Sequence, residues 1–583
     1  MTNNINLVEL VNQALGFVKT KEYDEAMAIY KSILEKDSMH PQALSNLSII
    51  YLMKEQYSEA VDTINKSLKV LTPIIGDYQN LATAYIALKE YESAIKAYKN
   101  IIKMNTNTPG VYKLLGDAQM EVVDYFGAID SYRKAFELEP EKFETMFDYG
   151  AILTKCRHHE EALKYLRRAL KIDPNHIECM NKIARTLSSI GDYGEAKEIY
   201  KKLMVLAPGS VGPDIDYASC LIYERKYVEP VKILKKVLKK KPNNNMARTN
   251  LAMVYLFNKK FKDGWKYSDA RILLTNQFDV TKRYDKLKSF FDIDVDKKEL
   301  KANEKIIILL DAGLGDVILG LSMLKEFHKK FKNISAEVDY RLVTLCKRSF
   351  PDINFYAVRE NRHEFIIDYD LSLFDKGIYW GSLGKYLRQE VADFPKKEIA
   401  FLNPDKIKIN TINNKLKKEK DIICGITWKS SAFEGIHKSA LLEDLTPIFK
   451  IKGIRFLDLQ YEIKNEVGQT ALEKEKLFKD ANIKIEDYED IDKQEDIDSL
   501  TALVSNCDII VTSSNVTAHI AGALGKKTFL FVPFQRGKLW YWHDEKGTSI
   551  WYPSIKIFTA ESSNGWGKLF EKIAYTVKQD LKL

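Results

Sequence analysis

Apolar residues in the first half of the chain recur at the spacing of helices that bury one face, and that pattern is itself repeated. The segment "KEYDEAMAIYKSIL" returns as "EQYSEAVDTINKSL", "KEYESAIKAYKNII", "VDYFGAIDSYRKAF" and "GDYGEAKEIYKKLM". Small residues fall at Ala26, Ala60, Ala94, Ala128, Ala162 and Ala196, each 34 residues after the one before, and the phase continues to Pro230 and Gly264. A ring stands three residues earlier in every unit: Tyr23, Tyr57, Tyr91, Tyr125, His159, Tyr193, Tyr227 and Phe261. A second small column lies twelve residues before the first, at Ala14, Ser48, Ala82, Gly116, Gly150, Ala184, Ala218 and Ala252. Pro140, Pro174, Pro208 and Pro242 close four of the units. Two antiparallel helices approach closely only where a small side chain faces the partner backbone. The ring fills the space beside the turn, and proline stops the second helix. The pattern predicts eight helix pairs over about Leu7–Arg271, with Pro230 and Gly264 marking the last units as deviating or capping.

Between Leu273 and Lys305 the periodicity loosens into a charged stretch that predicts a helical joint and then a short loop. Beyond it the apolar runs shorten to strand length. They are "KIIILL" (Lys305–Leu310), "EVDYRLVTL", "INFYAVRE" and "EFIIDYD", then, after a charged joint at Asn403–Lys420, "DIICGITW", "IRFLDLQY", "CDIIVT" and "KTFLFVP". Helical patterns lie between them, so the strands are expected to be parallel, in two Rossmann-like lobes with a cleft between. The predicted organisation is therefore a helical-repeat solenoid (1–272), a helical linker (273–304), a first lobe (305–405) and a second lobe (406–583).

Composition narrows the function classes. The charge sum, 89 basic against 81 acidic residues, gives only +8 over 583 residues, which does not indicate a nucleic-acid binder. The six cysteines stand singly, without CxxC spacing, which fits a reducing cytoplasm. No basic, apolar leader opens the sequence. The most apolar stretch, Ile306–Leu324, holds Asp311, Asp316 and three glycines, so no transmembrane segment is expected.

Four motifs carry candidate chemistry. Gly313-Leu314-Gly315-Asp316 follows a strand and opens a helix. Its glycines allow close backbone approach, and Asp316 is either a general base in the cleft or a helix cap. In "TSSNVTAHIAGALGKK", Ser513, Ser514, Asn515 and Thr517 cluster at a predicted helix start, with His519 in the first turn. This is a phosphate cradle, or else ordinary capping with a packed histidine. In "GITWKSSAFEGIHKS", Thr427 ends a strand, Lys429 and Ser430 follow, and Lys438 is a second cation for an anion. In "PFQRGKLWYWHDEKGTSIWYPS", Arg536 and Trp540 belong to a cluster that either touches a ligand or covers the lobe interface. Asp368-Tyr369-Asp370 has the form of a DxD metal motif, but its surroundings do not suit one. No His/Cys/Asp set has zinc spacing, so no metal and no resident cofactor are expected.

The first half resembles the tetratricopeptide repeat, whose period and columns it matches. The second half resembles GT-B glycosyltransferases related to ADP-heptose:lipopolysaccharide heptosyltransferases. More closely, it is similar to the bacterial tetratricopeptide-repeat glycosyltransferases that carry such a domain, through "GLGD", "GITWKSS", "IRFLDLQ", "TAHIAGALGKK" and "WYW…SIWYPS" over about 290–560. The resemblance implies sugar transfer from a nucleotide-sugar, with acceptor on the first lobe and donor on the second. It makes Asp316 the base and gives Gly313, Gly315, Thr427, Lys429, Ser430, Gln460, Ser513, Ser514, Asn515, Thr517 and His519 to the donor. The repeats would present a protein acceptor, such as flagellin or another surface protein. The alternatives are an inactive scaffold and transfer to a lipid-linked glycan. Asp311-Ala312 before the loop and Ser514 in place of Asp depart from the common pattern and leave the donor open.

Overall fold

The computed structural model describes residues 7–274, 300–361, 364–367, 369–398, 400–416, 422–430, 435–461, 468–562 and 565–583. An N-terminal helical solenoid of the tetratricopeptide type, sixteen helices among the described residues, is followed by an α/β region. The expected joint at 273–304 lies mostly outside the described residues, as does Asp368. By compactness the chain divides into Met1–Pro213 and Asp214–Leu583. The last two helix pairs thus belong with the α/β region, although the repeat pattern itself runs on to about residue 272.

In Met1–Pro213 the pairs run from Leu7–Thr20 and Tyr23–Lys36 to Ile177–Ile190 and Tyr193–Leu206. The small column is core. Ala26, Ala60, Ala94, Ala128, Ala162 and Ala196 are fully buried. A Cβ on Gly116 would come within 2.6 Å of the Tyr132 ring, and one on Gly150 within 2.7 Å of Leu166. These contacts are why the column cannot grow. The ring column is less uniform, since Tyr193 is buried and Tyr125 is 48% exposed.

A third 34-residue column escapes the eye in the sequence. Lys21, Glu55, Lys89, Val123, Arg157, Gly191, Arg225 and Lys259 all have positive φ, at the turn between the two helices of each pair. Only one of the eight is glycine. Val123 is β-branched and 63% exposed, so it bears the left-handed strain without compensating contacts. Val123→Gly is expected to raise the unfolding free energy by about 1 kcal/mol, the relief exceeding the entropy cost of glycine. Urea titration checks this, and an unchanged or lower midpoint would refute it.

In Asp214–Leu583, Pro230 stands in the first turn of helix Val228–Lys240, where its missing N–H breaks no helical bond. Gly264 lets helix Phe261–Ser268 approach Leu256, and the array then ends in a short 3-10 turn, Asp269–Leu273.

Two sheets follow. The first holds β1 (Ile306–Leu309), β2 (Ile334–Asp339), β3 (Asn354–Asn361), β4 (Glu364–Ile367) and β5 (Lys376–Tyr379), in the order β4-β3-β2-β1-β5. All pairs are parallel except β3 with β4. The second holds β6 (Ile422–Ile426), β7 (Ile454–Asp458), β8 (Ile485–Glu486), β9 (Ile509–Thr512), β10 (Lys527–Val532), β11 (Asp544–Glu545), β12 (Thr548–Ser549) and β13 (Ile555–Thr559), in the order β11-β12-β13-β10-β9-β6-β7-β8. Its six-strand run β13 to β8 is parallel, and β11 and β12 form an antiparallel edge.

One expected strand needs correction. "EVDYRLVTL" is a strand only as far as Asp339. The Asp339 carboxylate accepts from the Arg341 N–H, and the chain turns into the helix Val343–Ser349.

Topology positions the site. The chain leaves β1 first towards β2 and later returns to its other side with β5. It leaves β6 first towards β7 and returns with β9. Crevices open at such switch points, beyond the carboxyl ends of the strands. The loop Leu310–Gly313 is at one switch point, and Thr427–Ser430 with Ser513–Asn515 is at the other. One apolar cluster runs from Leu256, Phe261 and Trp265 through Ile306 and Trp380 to Ala518 and Trp551, so the last helix pair and both sheets share a core.

Candidate functional site

The two switch points face each other across a cavity of about 420 Å³. That is the size range of ligand pockets. From the first sheet it is lined by Gly313, Gly315 and Asp316, and from the second by Ser430, Lys438, Ser514, Asn515 and His519. These were all singled out in the sequence. Tyr541 of the fourth motif also lines it, as do Asp339, Arg341 and Lys493, which stand outside the four motifs.

The glycine loop is built for proximity. Helix Leu314–Lys330 packs its first turn against helix Val516–Ala523. A Cβ on Gly315 would meet His519 Cδ2 at 2.7 Å, so only glycine fits. Gly313 caps the first helix through its backbone, and Asp316 makes no cap bond of its own. The carboxylate instead faces the cavity and accepts from the Tyr541 hydroxyl. Protein surrounds it densely, although solvent reaches it through the cavity. Desolvation raises its pKa above the ordinary carboxylate value, with the Tyr541 hydrogen bond and the Lys438 charge acting against that rise. Asp316 stands in the first turn of its helix, where a negative charge also suits the helix N-terminus.

The second motif divides its labour. The Asn515 Oδ1 caps the helix, accepting from the N–H of Thr517 (3.0 Å) and Ala518 (3.4 Å). Its amide donates to Thr427 Oγ1 (2.8 Å), the Lys429 carbonyl (3.1 Å) and Ser513 Oγ (3.2 Å). Thr427 and Thr512 share a hydroxyl–hydroxyl bond of 2.6 Å. Thr427 and Ser513 thus spend their hydroxyls beneath the cradle, locking the ends of β6 and β9 together. They do not line the cavity. The Trp542 indole donates to Ser514 Oγ at 2.8 Å. The Thr517 hydroxyl is buried with no hydrogen-bond partner among the described residues, the kind of atom that a ligand or water completes.

His519 lines the cavity, and burial and then the Lys438 charge push its pKa down to about 3. It is a neutral imidazole, held by Tyr552 through Nδ1 at 3.1 Å and packed on Trp542, and it brings no charge to an anion.

The two lysines exchange places. The Lys429 ammonium ion-pairs with Glu473 at 2.8 Å, which also accepts from the Trp428 indole. Gln460 Oε1 accepts from the N–H of Trp428 and Lys429, at 3.1 and 2.9 Å, so it shapes the end of β6 without lining the cavity. Lys438, buried at 4% exposure, lines the cavity where Lys429 does not. Sequence position favoured Lys429 because it follows the strand directly, and only the fold of the 435–438 turn brings Lys438 inward.

Arg536 and Trp540 are also placed elsewhere. The Arg536 guanidinium lies over the Tyr223 ring, and Trp540 packs edge-on against Trp265 and Tyr541. The fourth motif is therefore largely the cover over the last two helix pairs. Asp311, at the departure from the common pattern, ion-pairs with Arg271 of the 3-10 turn that ends the array. Asp370 caps a turn, accepting from Ser372 N–H at 2.9 Å. No group of three or more metal-ligating side chains occurs among the described residues. No helix among them is long and apolar enough to cross a membrane.

A second concavity lies within Met1–Pro213. It has a volume of about 700 Å³ and is lined from successive repeats by Asp117, Glu121, Asp148, Lys155, Lys182 and Arg185, among others. The earliest of these helices supplies the acidic Asp117 and Glu121 and the latest the basic Lys182 and Arg185, with Asp148 and Lys155 on the one between. Lys113 pairs with Asp148 at 2.6 Å, and the Tyr132 hydroxyl donates to Asp117.

These features define a tetratricopeptide-type array joined to doubly wound α/β sheets, with a cavity at their facing switch points. Tetratricopeptide-repeat family models match residues 153–214 and 78–108. Protein FlbA of Caulobacter vibrioides is similar, 27% identical over 289 residues, covering 47% of this chain and 46% of that protein. The chain thus spans about half the length of the curated relative it matches. Among solved structures, part of a repeat protein of Cytophaga hutchinsonii aligns with TM-score 0.36 and 18% identity, covering 41% of this chain and 99% of that one. YrrB, described as a TPR protein with an unusual peptide-binding site, aligns with TM-score 0.28 and 22% identity, covering 31% and 92%.

Proposed function

We propose that the cavity between the sheets is the donor site of a GT-B-type glycosyltransferase, which moves a sugar from a nucleotide to a protein acceptor held by the repeats. The observation that carries this reading is the convergence of Asp316 and Lys438 with the Ser514–His519 helix start in one cavity. In the proposed reaction, Asp316 takes the proton of an acceptor hydroxyl as its oxygen attacks the anomeric carbon. The bond from that carbon to the diphosphate breaks, and the electron pair leaves with the diphosphate. Lys438 and the N-terminus of helix Val516–Ala523 supply the positive field that the leaving group needs. The neutral His519 fits a hydrogen-bonding role there. The charged, graded concavity of the repeats suits an extended protein segment better than a sugar alone.

Calorimetric titration with nucleoside diphosphates tests the reading. Lys438→Ala is expected to weaken binding by about tenfold to a hundredfold, the worth of one charge-assisted phosphate bond. Lys429→Ala should act on stability, because it strips the partner from Glu473. Affinity that is unchanged in Lys438→Ala, or no nucleotide binding at all, would favour the inactive scaffold instead.

A further inference from the structure

A separate cleft of about 100 Å³ lies between the turn of the seventh helix pair and the loop 533–543, all within Asp214–Leu583. Arg225 and Lys538 line it, with Tyr223, Tyr227, Phe257, Trp540 and His543. The Arg225 guanidinium lies over the Phe534 ring at 5.5 Å, and its backbone is held at φ +60° by the repeat turn. The Lys538 ammonium donates to the Thr559 hydroxyl at 3.2 Å. Neither cation has a carboxylate at ion-pair distance among the described residues. His543 donates through Nε2 to the Leu256 carbonyl at 2.7 Å, and burial pushes its pKa down to about 4 against the effect of that bond. Lys259, next door, donates to the Asp544 backbone carbonyl. Three cations therefore gather around one nearby carboxylate, Asp544, inside an aromatic wall. Burial first, and the Arg225 charge next, hold the Lys538 pKa down to about 8.

From this arrangement we infer that the Arg225–Lys538 cleft is a binding site for a single oxyanion, a carboxylate or a phosphate group. The volume fits one such group and excludes a whole nucleotide or sugar, which needs several hundred cubic ångströms. A bound oxyanion would answer both cations and tie the repeat turn to the 533–543 loop. The inference does not depend on the proposed sugar transfer, because none of these residues lines the larger cavity.

The test is the melting temperature of the full chain against inorganic phosphate and, in parallel, acetate, at constant ionic strength held with sodium chloride. A ligand that binds only the folded state raises the melting temperature in a saturable way. The expected result is such a rise with at least one anion, kept in Lys438→Met and lost in Lys538→Met. The anion acting at lower concentration identifies phosphate or carboxylate as the preferred group. Arg225→Gln, at an exposed turn, gives the same reading should Lys538→Met fail to fold. No rise beyond sodium chloride with either anion overturns the proposal. So does a rise that survives both the Lys538 and Arg225 substitutions.

Discussion

Asp316→Asn is expected to lower turnover by about 10²-fold or more, while nucleotide affinity and melting temperature stay close to wild type. Asparagine keeps the size and the Tyr541 contact but cannot take a proton. No cap bond is lost, because Asp316 makes none. The raised pKa means that this residue costs the fold most above that pKa and least below it. Activity runs the other way, since the base must be ionised. Turnover should fall as pH drops through the raised pKa, at a higher pH than an ordinary carboxylate would set. Tyr541→Phe removes a hydrogen bond that favours the charged form, so its acid limb should move to still higher pH. A pH–rate profile for the three proteins checks both statements. An Asp316→Asn protein that turns over normally would move the base elsewhere.

Trp265→Ala is expected to destabilise Asp214–Leu583 by about 3–5 kcal/mol, the usual cost of emptying a buried tryptophan site. The indole is buried and donates to the Arg388 carbonyl at 2.6 Å. It packs edge-on against Trp540 and sits so close to Gly384 that a Cβ there would be 2.2 Å from its ring. Arg388 is in turn held by Glu326 at 2.7 and 2.8 Å. The last helix of the array, the segment 384–388 and the 533–543 loop therefore meet on one side chain. Denaturant unfolding followed by hydrogen exchange should show the loss in this unit, with Met1–Pro213 little changed. A loss under about 1 kcal/mol would mean that the site collapses around the gap.

Much of this was legible because packing constraints repeat. A column that must stay small every 34 residues is visible without any structure, and the eight helix pairs follow from it. The glycine loop was legible for a similar reason, since Gly315 leaves room that His519 fills. The left-handed column was hidden because seven of its eight residues are not glycine. Strain tolerated by a repeated turn leaves no composition signal. Strand β5 and the edge elements β8, β11 and β12 are too short to show a period, and β13 (Ile555–Thr559) alternates over only five residues. At the site, residue type was informative and direction was not. Thr427, Lys429, Gln460 and Ser513 are the expected polar residues at the expected strand ends, yet they face the scaffold. Lys438 and Tyr541 reach the cavity from loops whose course no local pattern sets. Asp339, Arg341 and Lys493 arrive by the same route, from segments that carried no motif.

We propose above that the cavity between the sheets breaks a nucleotide-sugar bond. Nucleotide release by the purified full chain from a panel of nucleotide-sugars, without acceptor, tests it most directly. The expected result is slow release from one donor or a few closely related ones, competitively inhibited by the matching nucleoside diphosphate. No release from any donor, together with no binding of any nucleoside diphosphate, would contradict it.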